Sequence, residues 1–188
     1  MNLSEPREIY ISVDVETAGP TPRAYSLLSI GACVVQEPAQ TFYIELRPVN
    51  ENFVVEAMQV SGLDFAKLQR DGVPAQNAMT RFADWLAQVI PTGNQPIFVG
   101  FNASFDWLFI HDYFYQFLGH NPFGHKALDI KAYYMGQKGV TWQQTSMSRV
   151  SKFYLDDHPL SHNALQDALD QAQIFRQLLA EASIKQSP

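Results

Sequence analysis

The sequence predicts an α/β protein with a mixed sheet and helices on both faces of that sheet. The order of its segments predicts this in two ways. Three strand-like segments come first, at residues 10–16, 26–35 and 41–46, and strands this close in sequence pair as an antiparallel meander. Strand and helix patterns then follow in turn, which adds to the sheet and packs helices against it.

The first strand carries two carboxylates. Ile11, Val13 and Val15 alternate with polar residues, and this period of two is typical of a strand. Asp14 and Glu16 therefore point to the same face of the strand, about 7 Å apart. Two carboxylates in this arrangement repel each other, and a divalent cation held between them is one way to relieve the repulsion.

Helical patterns follow the meander. Residues 49–73 are irregular, with a turn at Ser61-Gly62 and short helices beside it. Residues 75–89 show the periodicity of an amphipathic helix. A short apolar strand at residues 96–100 then leads into a helix rich in aromatic residues at 103–118.

Three more helices are predicted in the last third of the chain. Residues 129–135 and 146–154 have helical patterns, and residues 164–180 form an amphipathic helix with an apolar stripe. Asn163 and Gln166 resemble a capping box at the start of this last helix.

The composition indicates one globular domain over residues 1–188, with 46% hydrophobic and 17% charged residues. We find no apolar segment typical of a secretory signal and no apolar run near the roughly 18 residues of a membrane span. We therefore expect a cytoplasmic protein without a membrane partner, in which the single cysteine, Cys33, is a buried thiol. The net charge of -6 argues against broad non-specific nucleic-acid binding, but it allows a local site that uses metal ions.

Three short motifs contain the candidate functional residues. They are Asp14-Val15-Glu16, Asn102-Ala103-Ser104-Phe105-Asp106 and His162-Asn163-Ala164-Leu165-Gln166-Asp167. Each also has a purely structural explanation. Asn102 is a natural helix N-cap, and Asp106 and Asp167 lie in first helical turns, where a carboxylate complements the helix dipole.

Taken together and in this order, the three motifs resemble those of the DEDDh 3′→5′ exonucleases, the family that includes proofreading exonuclease subunits, oligoribonuclease and ribonuclease T. The resemblance covers about residues 8–180. It implies a ribonuclease-H-like mixed five-stranded sheet that begins with the three-stranded meander. It also implies hydrolysis of single-stranded nucleic acid from the 3′ end, with release of nucleoside 5′-monophosphates.

The resemblance assigns roles to five residues. Asp14, Glu16 and Asp167 would hold one ion, and Asp14 and Asp106 would hold a second one. Carboxylates suit the hard ions Mg²⁺ or Mn²⁺, and two such ions can activate water and stabilise the departing oxygen. His162 would accept the proton of the attacking water, a task that suits a side chain titrating near neutral pH. His158 is the alternative to His162.

Candidate substrate contacts lie near the first two motifs. We expect the backbone of residues 15–18 to contact the 3′-terminal ribose, and Phe101 and Trp107, which flank the second motif, to contact a terminal base. The candidates are Val15, Thr17, Ala18, Phe101, Asn102 and Trp107. Phe105, within the second motif, is expected to be a core residue.

A basic stretch at residues 126–152 has two interpretations. It contains five Lys and Arg residues against one acidic residue, with Tyr133, Tyr134 and Trp142 interleaved. Cationic and aromatic side chains together can bind a single strand by phosphate contacts and base stacking. The alternative is a solvated charged face.

Three questions stay open on the sequence alone, and they concern the activity, the polymer and the oligomeric state. The chain can be a catalytically silent nucleic-acid-binding module, or a proofreading subunit that works beside a polymerase. Its substrate can be RNA or DNA, and a homodimer is possible.

Overall fold

The computed structural model of the protein describes residues 7–155 and 161–185, and it confirms the mixed sheet. The strands are β1 (Glu8–Thr17), β2 (Leu27–Val34), β3 (Thr41–Glu45), β4 (Gln95–Gly100) and β5 (Ala127–Asp129). They lie in the order β3-β2-β1-β4-β5. β1, β2 and β3 form the predicted antiparallel meander, and β4 and β5 add to it in parallel.

The helices lie close to their predicted positions. They are α1 (Val55–Ser61), α2 (Phe65–Asp71), α3 (Ala75–Val89), α4 (Ser104–Leu118), α5 (Ile130–Lys138), α6 (Met147–Tyr154) and α7 (Ala164–Lys185), with a 3₁₀ turn at Trp142–Thr145. The patterns did not locate β5 or the 3₁₀ turn, since each has only three or four residues.

Two hydrophobic layers cover the two faces of the sheet. Ile11, Val13 and Val15 of β1 are buried with apolar residues of α3 and α4. The other layer joins Val99 of β4 to side chains of α5, α6 and α7, including Phe175. The alternation of β1 therefore sends its carboxylates towards α7, away from the layer under α3 and α4.

The start of α7 lies directly on β2, next to the carboxylates of β1. Gly31 of β2 pairs with Asp14 of β1, and a Cβ atom at Gly31 would lie 2.1 Å from the backbone carbon of Ala164. Only glycine permits this close approach of two backbones. The absence of a side chain at Gly31 thus brings the first turn of α7, with Asp167, next to Asp14.

The cap of α7 is only half of the predicted capping box. The Asn163 Oδ1 atom accepts a hydrogen bond from the Gln166 backbone N–H at 3.1 Å. The Asn163 backbone N–H donates to the Ser161 hydroxyl at 3.3 Å and not to the Gln166 side chain, whose amide N–H donates to Asp170 at 2.8 Å, so the return bond of that motif is not made.

Two further expectations concern Cys33 and membrane association. Cys33 is buried, as predicted, and burial raises the pKa of its thiol to about 12, so the thiol stays protonated near neutral pH. Among the helices in the described part of the chain, none has the length and apolar character to cross a membrane.

Candidate active site

Three carboxylates meet at the end of β1. Asp14 and Glu16 lie on one face of the strand, and Asp167 reaches them from the first turn of α7. One oxygen from each of the three side chains lies within 4.8 Å of the others. Oxygen atoms in such an arrangement suit a hard divalent cation.

Asp106 stands beside this group, at the start of α4. It is 5% exposed, and its Oδ1 atom accepts a hydrogen bond from the Val15 backbone N–H at 3.1 Å. Val15 lies between Asp14 and Glu16, so the bond fixes Asp106 next to the pair. Asp106 is outside the group of three oxygens within 4.8 Å, although its charge is close enough to raise the pKa of Asp14.

The four carboxylates have raised pKa values, so this site favours the binding of protons or cations. Burial, followed by repulsion from Asp106 and Asp167, raises the pKa of Asp14 well above its usual range. Burial is also the main cause that raises the pKa of Glu16 to about 8 and that of Asp106 to about 7. The pKa of Asp167 is raised mainly by burial, against a lowering effect of Ser161 and His162. A bound divalent cation would relieve both the burial cost and the repulsion.

Gln171 holds Asp14 in place. Its Nε2 atom donates to the Asp14 Oδ1 atom at 2.6 Å, and its Oε1 atom accepts from the Phe101 backbone N–H at 2.9 Å. The side chain is 2% exposed. One amide thus joins α7, the carboxylate of β1 and the end of β4. No motif predicted Gln171, because its role depends on partners 70 and 157 residues away.

His162 lies in the loop before α7, as the sequence predicted. It is exposed and has a left-handed backbone with φ of 48°. Its charge lowers the pKa of Asp167, so the imidazole is near the carboxylates. Ser161 donates to the Asp167 Oδ1 atom at 3.2 Å, which ties this loop to the site. His158, the alternative base, lies outside the described residues.

A small pocket opens beside Glu16. It has a volume of about 280 Å³, and it is lined by Val15, Glu16, Thr17, Glu56, Ala57, Val60 and Phe105. Helix α1 forms one wall and has no buried residue. Val60 is 54% exposed and Phe105 36% exposed, so apolar surface faces the pocket.

The prediction that Phe105 belongs to the core is wrong. The Asp106 side chain points inwards at the start of α4. The Phe105 side chain is rotated from it by about 100° around the helix, so Phe105 faces the pocket. Glu56, Ala57 and Val60 were missed because they fall in the irregular stretch. The sequence carried no signal for them, because the exposure of their apolar surface becomes visible only in the structure.

The predicted substrate contacts near β1 differ in their access to the pocket. Val15 and Thr17 line it, although the Val15 N–H is already bonded to Asp106. The Thr17 hydroxyl donates to the Gly19 carbonyl at 2.9 Å. Ala18 is fully buried, its N–H donates to Ser26, and its carbonyl accepts from Val54. Ala18 therefore adds no exposed surface to the pocket.

The three predicted contacts after β4 also differ. Asn102 is exposed, and its positive φ of 68° is a left-handed conformation that asparagine adopts more readily than most residues with a side chain. The helix cap falls on Ala103, so the interpretation of Asn102 as an N-cap is wrong. Phe101 and Trp107 are half-buried, and Trp107 packs edge-on against Phe98 at 5.2 Å between ring centroids.

Comparison with known proteins identifies the family. A family model described as the 3′-5′ exoribonuclease Rv2179c-like domain matches residues 9–179. The chain belongs to this exonuclease family. It is also 48% identical over 170 residues to the 3′-5′ DNA exonuclease Cap18 of Escherichia coli, covering 90% of this chain and 91% of that protein.

Solved exonuclease structures share the fold. The nuclease domain of 3′hExo, a DEDDh family member bound to rAMP, matches with a TM-score of 0.75 and 17% identity, over 92% of each chain. E. coli Exonuclease I in complex with a dA16 oligonucleotide matches with a TM-score of 0.68 and 14% identity, over 94% of this chain and 41% of that one.

A metal-bound structure also shares the fold. S. pombe Pop2p, in a form with Mg²⁺ and Mn²⁺ bound, matches with a TM-score of 0.65 and 18% identity, over 91% of this chain and 82% of that one. These likenesses confirm the predicted ribonuclease-H-like fold. With the family match, they identify the chain as a 3′–5′ exonuclease whose acidic cluster suits a divalent metal ion.

Proposed function

We propose that this exonuclease removes nucleotides one at a time from single-stranded 3′ ends and releases nucleoside 5′-monophosphates. The observation that carries the proposal is the convergence of Asp14, Glu16 and Asp167, with Asp106 beside them. The family match supports the direction of attack. Residues 1–188 would act as one exonuclease domain.

Mg²⁺ or Mn²⁺ fits this set of oxygen donors. Asp14, Glu16 and Asp167 would hold one ion, and Asp14 and Asp106 would hold the second. Bound ions of this kind supply Lewis-acid stabilisation of the charge that develops on the phosphate and the leaving oxygen. The raised pKa values of Glu16 and Asp106 support the assignment, because both carboxylates need a counter-charge to stay ionised at neutral pH.

The protein's own groups would orient the reactants and move the proton. Gln171 fixes the direction of the Asp14 carboxylate. The His162 imidazole would take the proton of the attacking water and pass it to solvent, which it reaches because it is exposed. The left-handed backbone of His162 turns the chain just before α7, so the base and Asp167 approach the site from different directions.

The pocket beside Glu16 would hold the 3′-terminal nucleoside. Val60 and Phe105 offer apolar surface to a base, and aromatic side chains bind bases without strong sequence preference. Stacking on side chains of this kind is how proteins bind unpaired bases. The pocket, with a volume of about 280 Å³, therefore supports a single-stranded end as the substrate.

Single-stranded DNA is the proposed natural polymer. The support is the relative named as a DNA exonuclease, which is 48% identical over nearly the whole chain. The family model carries the description of an exoribonuclease, so RNA is the competing substrate. A cytoplasmic location and a homodimer stay predictions from the sequence.

A competition experiment tests this choice. Single-stranded DNA and RNA of one sequence, each with a different 5′ label, are mixed in equal amounts with the protein and Mn²⁺. We expect the DNA to shorten from its 3′ end faster than the RNA, and the matching duplex to be degraded slowly. Faster loss of RNA would overturn the choice of polymer but not the activity. Binding without turnover of either polymer would support the silent module.

A further inference from the structure

The basic stretch at residues 126–152 does not form one uniform surface. Lys138 already has partners within the protein. Its Nζ atom lies 2.6 Å from a carboxylate oxygen of Glu181 and 5.8 Å from the ring centroid of Tyr154. Arg149 and Lys152 of α6 are exposed. Within residues 7–155 and 161–185, neither of them forms a salt bridge.

Arg149 and Lys152 flank a groove with an apolar floor. The groove between α5 and α6 has a volume of about 450 Å³, and it is lined by Tyr134, Val140, Gln144, Arg149, Lys152 and Phe153. Phe153 is 73% exposed. A large aromatic side chain open to water beside two cationic ones in one groove marks a contact surface better than a solvated face.

A cation–aromatic pair lies at the start of α5, the end of that helix that adjoins the second motif. Asp129, at the end of β5, accepts a hydrogen bond from the Ala103 N–H at 2.7 Å, so the start of α5 adjoins the start of α4 and Asp106. Two residues further, the Lys131 Nζ atom lies 4.1 Å from the ring centroid of Trp142. Trp142 is 50% exposed.

We infer that this surface, from Trp142 to the groove between α5 and α6, binds the part of the single strand that precedes its 3′ end. The inference rests on the proposed exonuclease function. Arg149 and Lys152 contact phosphates, and Trp142 and Phe153 stack on bases, which is the combination that single-strand-binding surfaces use. The polymer is thus held at two places, its last nucleotide at the carboxylates and upstream nucleotides on α5 and α6.

Charge favours a nucleic acid over a second copy of the chain as the occupant. A two-fold dimer that used this face would bring the same patch of each copy together. Arg149 and Lys152 would then face their own counterparts and repel them. A polyanion is complementary to the same two side chains, even though the protein as a whole carries a net charge of -6.

Substrates of two lengths distinguish the contribution of this surface from that of the catalytic site. A strand of about 20 nucleotides reaches both places, whereas one of about three nucleotides reaches only the carboxylates, since single-strand sites commonly span about 4–16 nucleotides. The experiment measures kcat and KM on both strands for the parent, Arg149→Glu and Arg81→Glu. Arg81 is an exposed residue of α3, on the opposite face of the sheet, so the control has the same change of charge.

We expect Arg149→Glu to raise KM for the long strand about tenfold and to reduce its salt dependence by about one unit of log–log slope. Its kcat, and both constants on the short strand, should equal those of the parent, and Arg81→Glu should match the parent throughout. Equal effects of Arg149→Glu on both strands, or none on either, would overturn the inference. A parent that degrades neither strand would instead refute the proposed function.

Phe153→Ala tests the stacking part without changing charge. Alanine favours the helix more than phenylalanine does, so α6 should stay folded. Loss of one stacked base should raise KM for the long strand by about fivefold or more, with no change for the short strand. An unchanged KM together with weaker self-association in sedimentation would assign Phe153 to a protein interface and would overturn its role in stacking.

Discussion

At Gln171, one buried amide serves two partners, the carboxylate of Asp14 and the N–H of Phe101. Gln171→Leu keeps the volume but removes both hydrogen bonds. We expect a loss of stability of about 1–3 kcal/mol, because the Phe101 N–H loses its partner. We also expect a loss of metal affinity or activity of about 10-fold or more, as is usual when a ligand loses its orienting partner.

The matched control is Gln173→Leu, on the same helix. Gln173 donates one hydrogen bond to the Tyr154 carbonyl and contacts no carboxylate of the cluster. This variant should lose stability yet keep the parent's Mn²⁺ concentration for half-maximal activity. If Gln171→Leu also kept that concentration, Gln171 would be a structural residue only.

His162 and Asp167 should respond differently to mutation. His162→Ala should keep metal affinity but lose about 10²–10⁴ in kcat, the usual contribution of a general base. Asp167→Ala should lose metal affinity, because Asp167 supplies one of the three clustered oxygens. Calorimetry with Mn²⁺ and steady-state kinetics measure the two effects. A His162→Ala variant with the parent's rate, or with the metal affinity of Asp167→Ala, would exclude the base role.

At the scale of elements, the contact of β2 with α7 assembles the cluster. Gly31→Ala should push the start of α7 away, since the new Cβ atom would lie 2.1 Å from backbone atoms of Ala164. We expect a loss of about 3 kcal/mol or more and a large fall in activity, because Asp167 moves with the helix.

Gly136→Ala is the control for this substitution. Gly136 lies inside α5, and a Cβ atom there would meet nothing within 4 Å, so the change should stabilise the protein by up to about 1 kcal/mol. Denaturant titrations of both variants measure the difference. A Gly31→Ala protein as stable and active as the parent would show that the close approach of α7 to β2 is not needed.

Elements with long periodic patterns could be predicted from the sequence, and short or composite ones could not. β1, α3 and α7 carry their own periodicity, and that of β1 predicts that Asp14 and Glu16 share a face, whereas Asp106 and Asp167 were assigned from the resemblance of their motifs. β5 has three residues, and its pairing depends on β4. The pocket beside Glu16 combines α1 with residues of β1 and α4, which only the tertiary structure brings together.

The same limit applies to the basic stretch. Sequence shows five cationic residues, but not that Lys138 is paired with Glu181 from another helix. Nor does it show that Arg149 and Lys152 share one groove with Phe153. Contacts between distant segments decide which charges stay available to a ligand.

At the scale of the whole molecule, the cluster couples stability to pH and to metal. The pKa of Glu16 rises from 4.5 to about 8 and that of Asp106 from 3.8 to about 7, so the folded chain binds these protons more tightly than the unfolded chain does. Their contribution to stability is therefore complete below about pH 4 and is lost as pH rises to about 8. A cation competes with the same protons, so its stabilising effect should grow over that range.

Melting temperatures with Mn²⁺ and with EDTA test this coupling. The difference between them should widen from about pH 5.5 to about pH 8, and it should nearly vanish at both values in Glu16→Ala. A difference that is independent of pH, or equal in the parent and Glu16→Ala, would place the metal away from Glu16.

The most direct test of the proposed active site is a time course on 5′-labelled single-stranded DNA with the parent and Asp14→Asn. Asparagine is close to aspartate in size, but it lacks the negative charge with which Asp14 would bind both ions. We predict that the parent with Mn²⁺ produces a ladder that shortens from the 3′ end, and that EDTA stops it. Asp14→Asn should leave the strand intact while keeping the circular dichroism of the parent. A folded Asp14→Asn protein that degrades DNA near the parent's rate would contradict the assignment of this cluster as the active site.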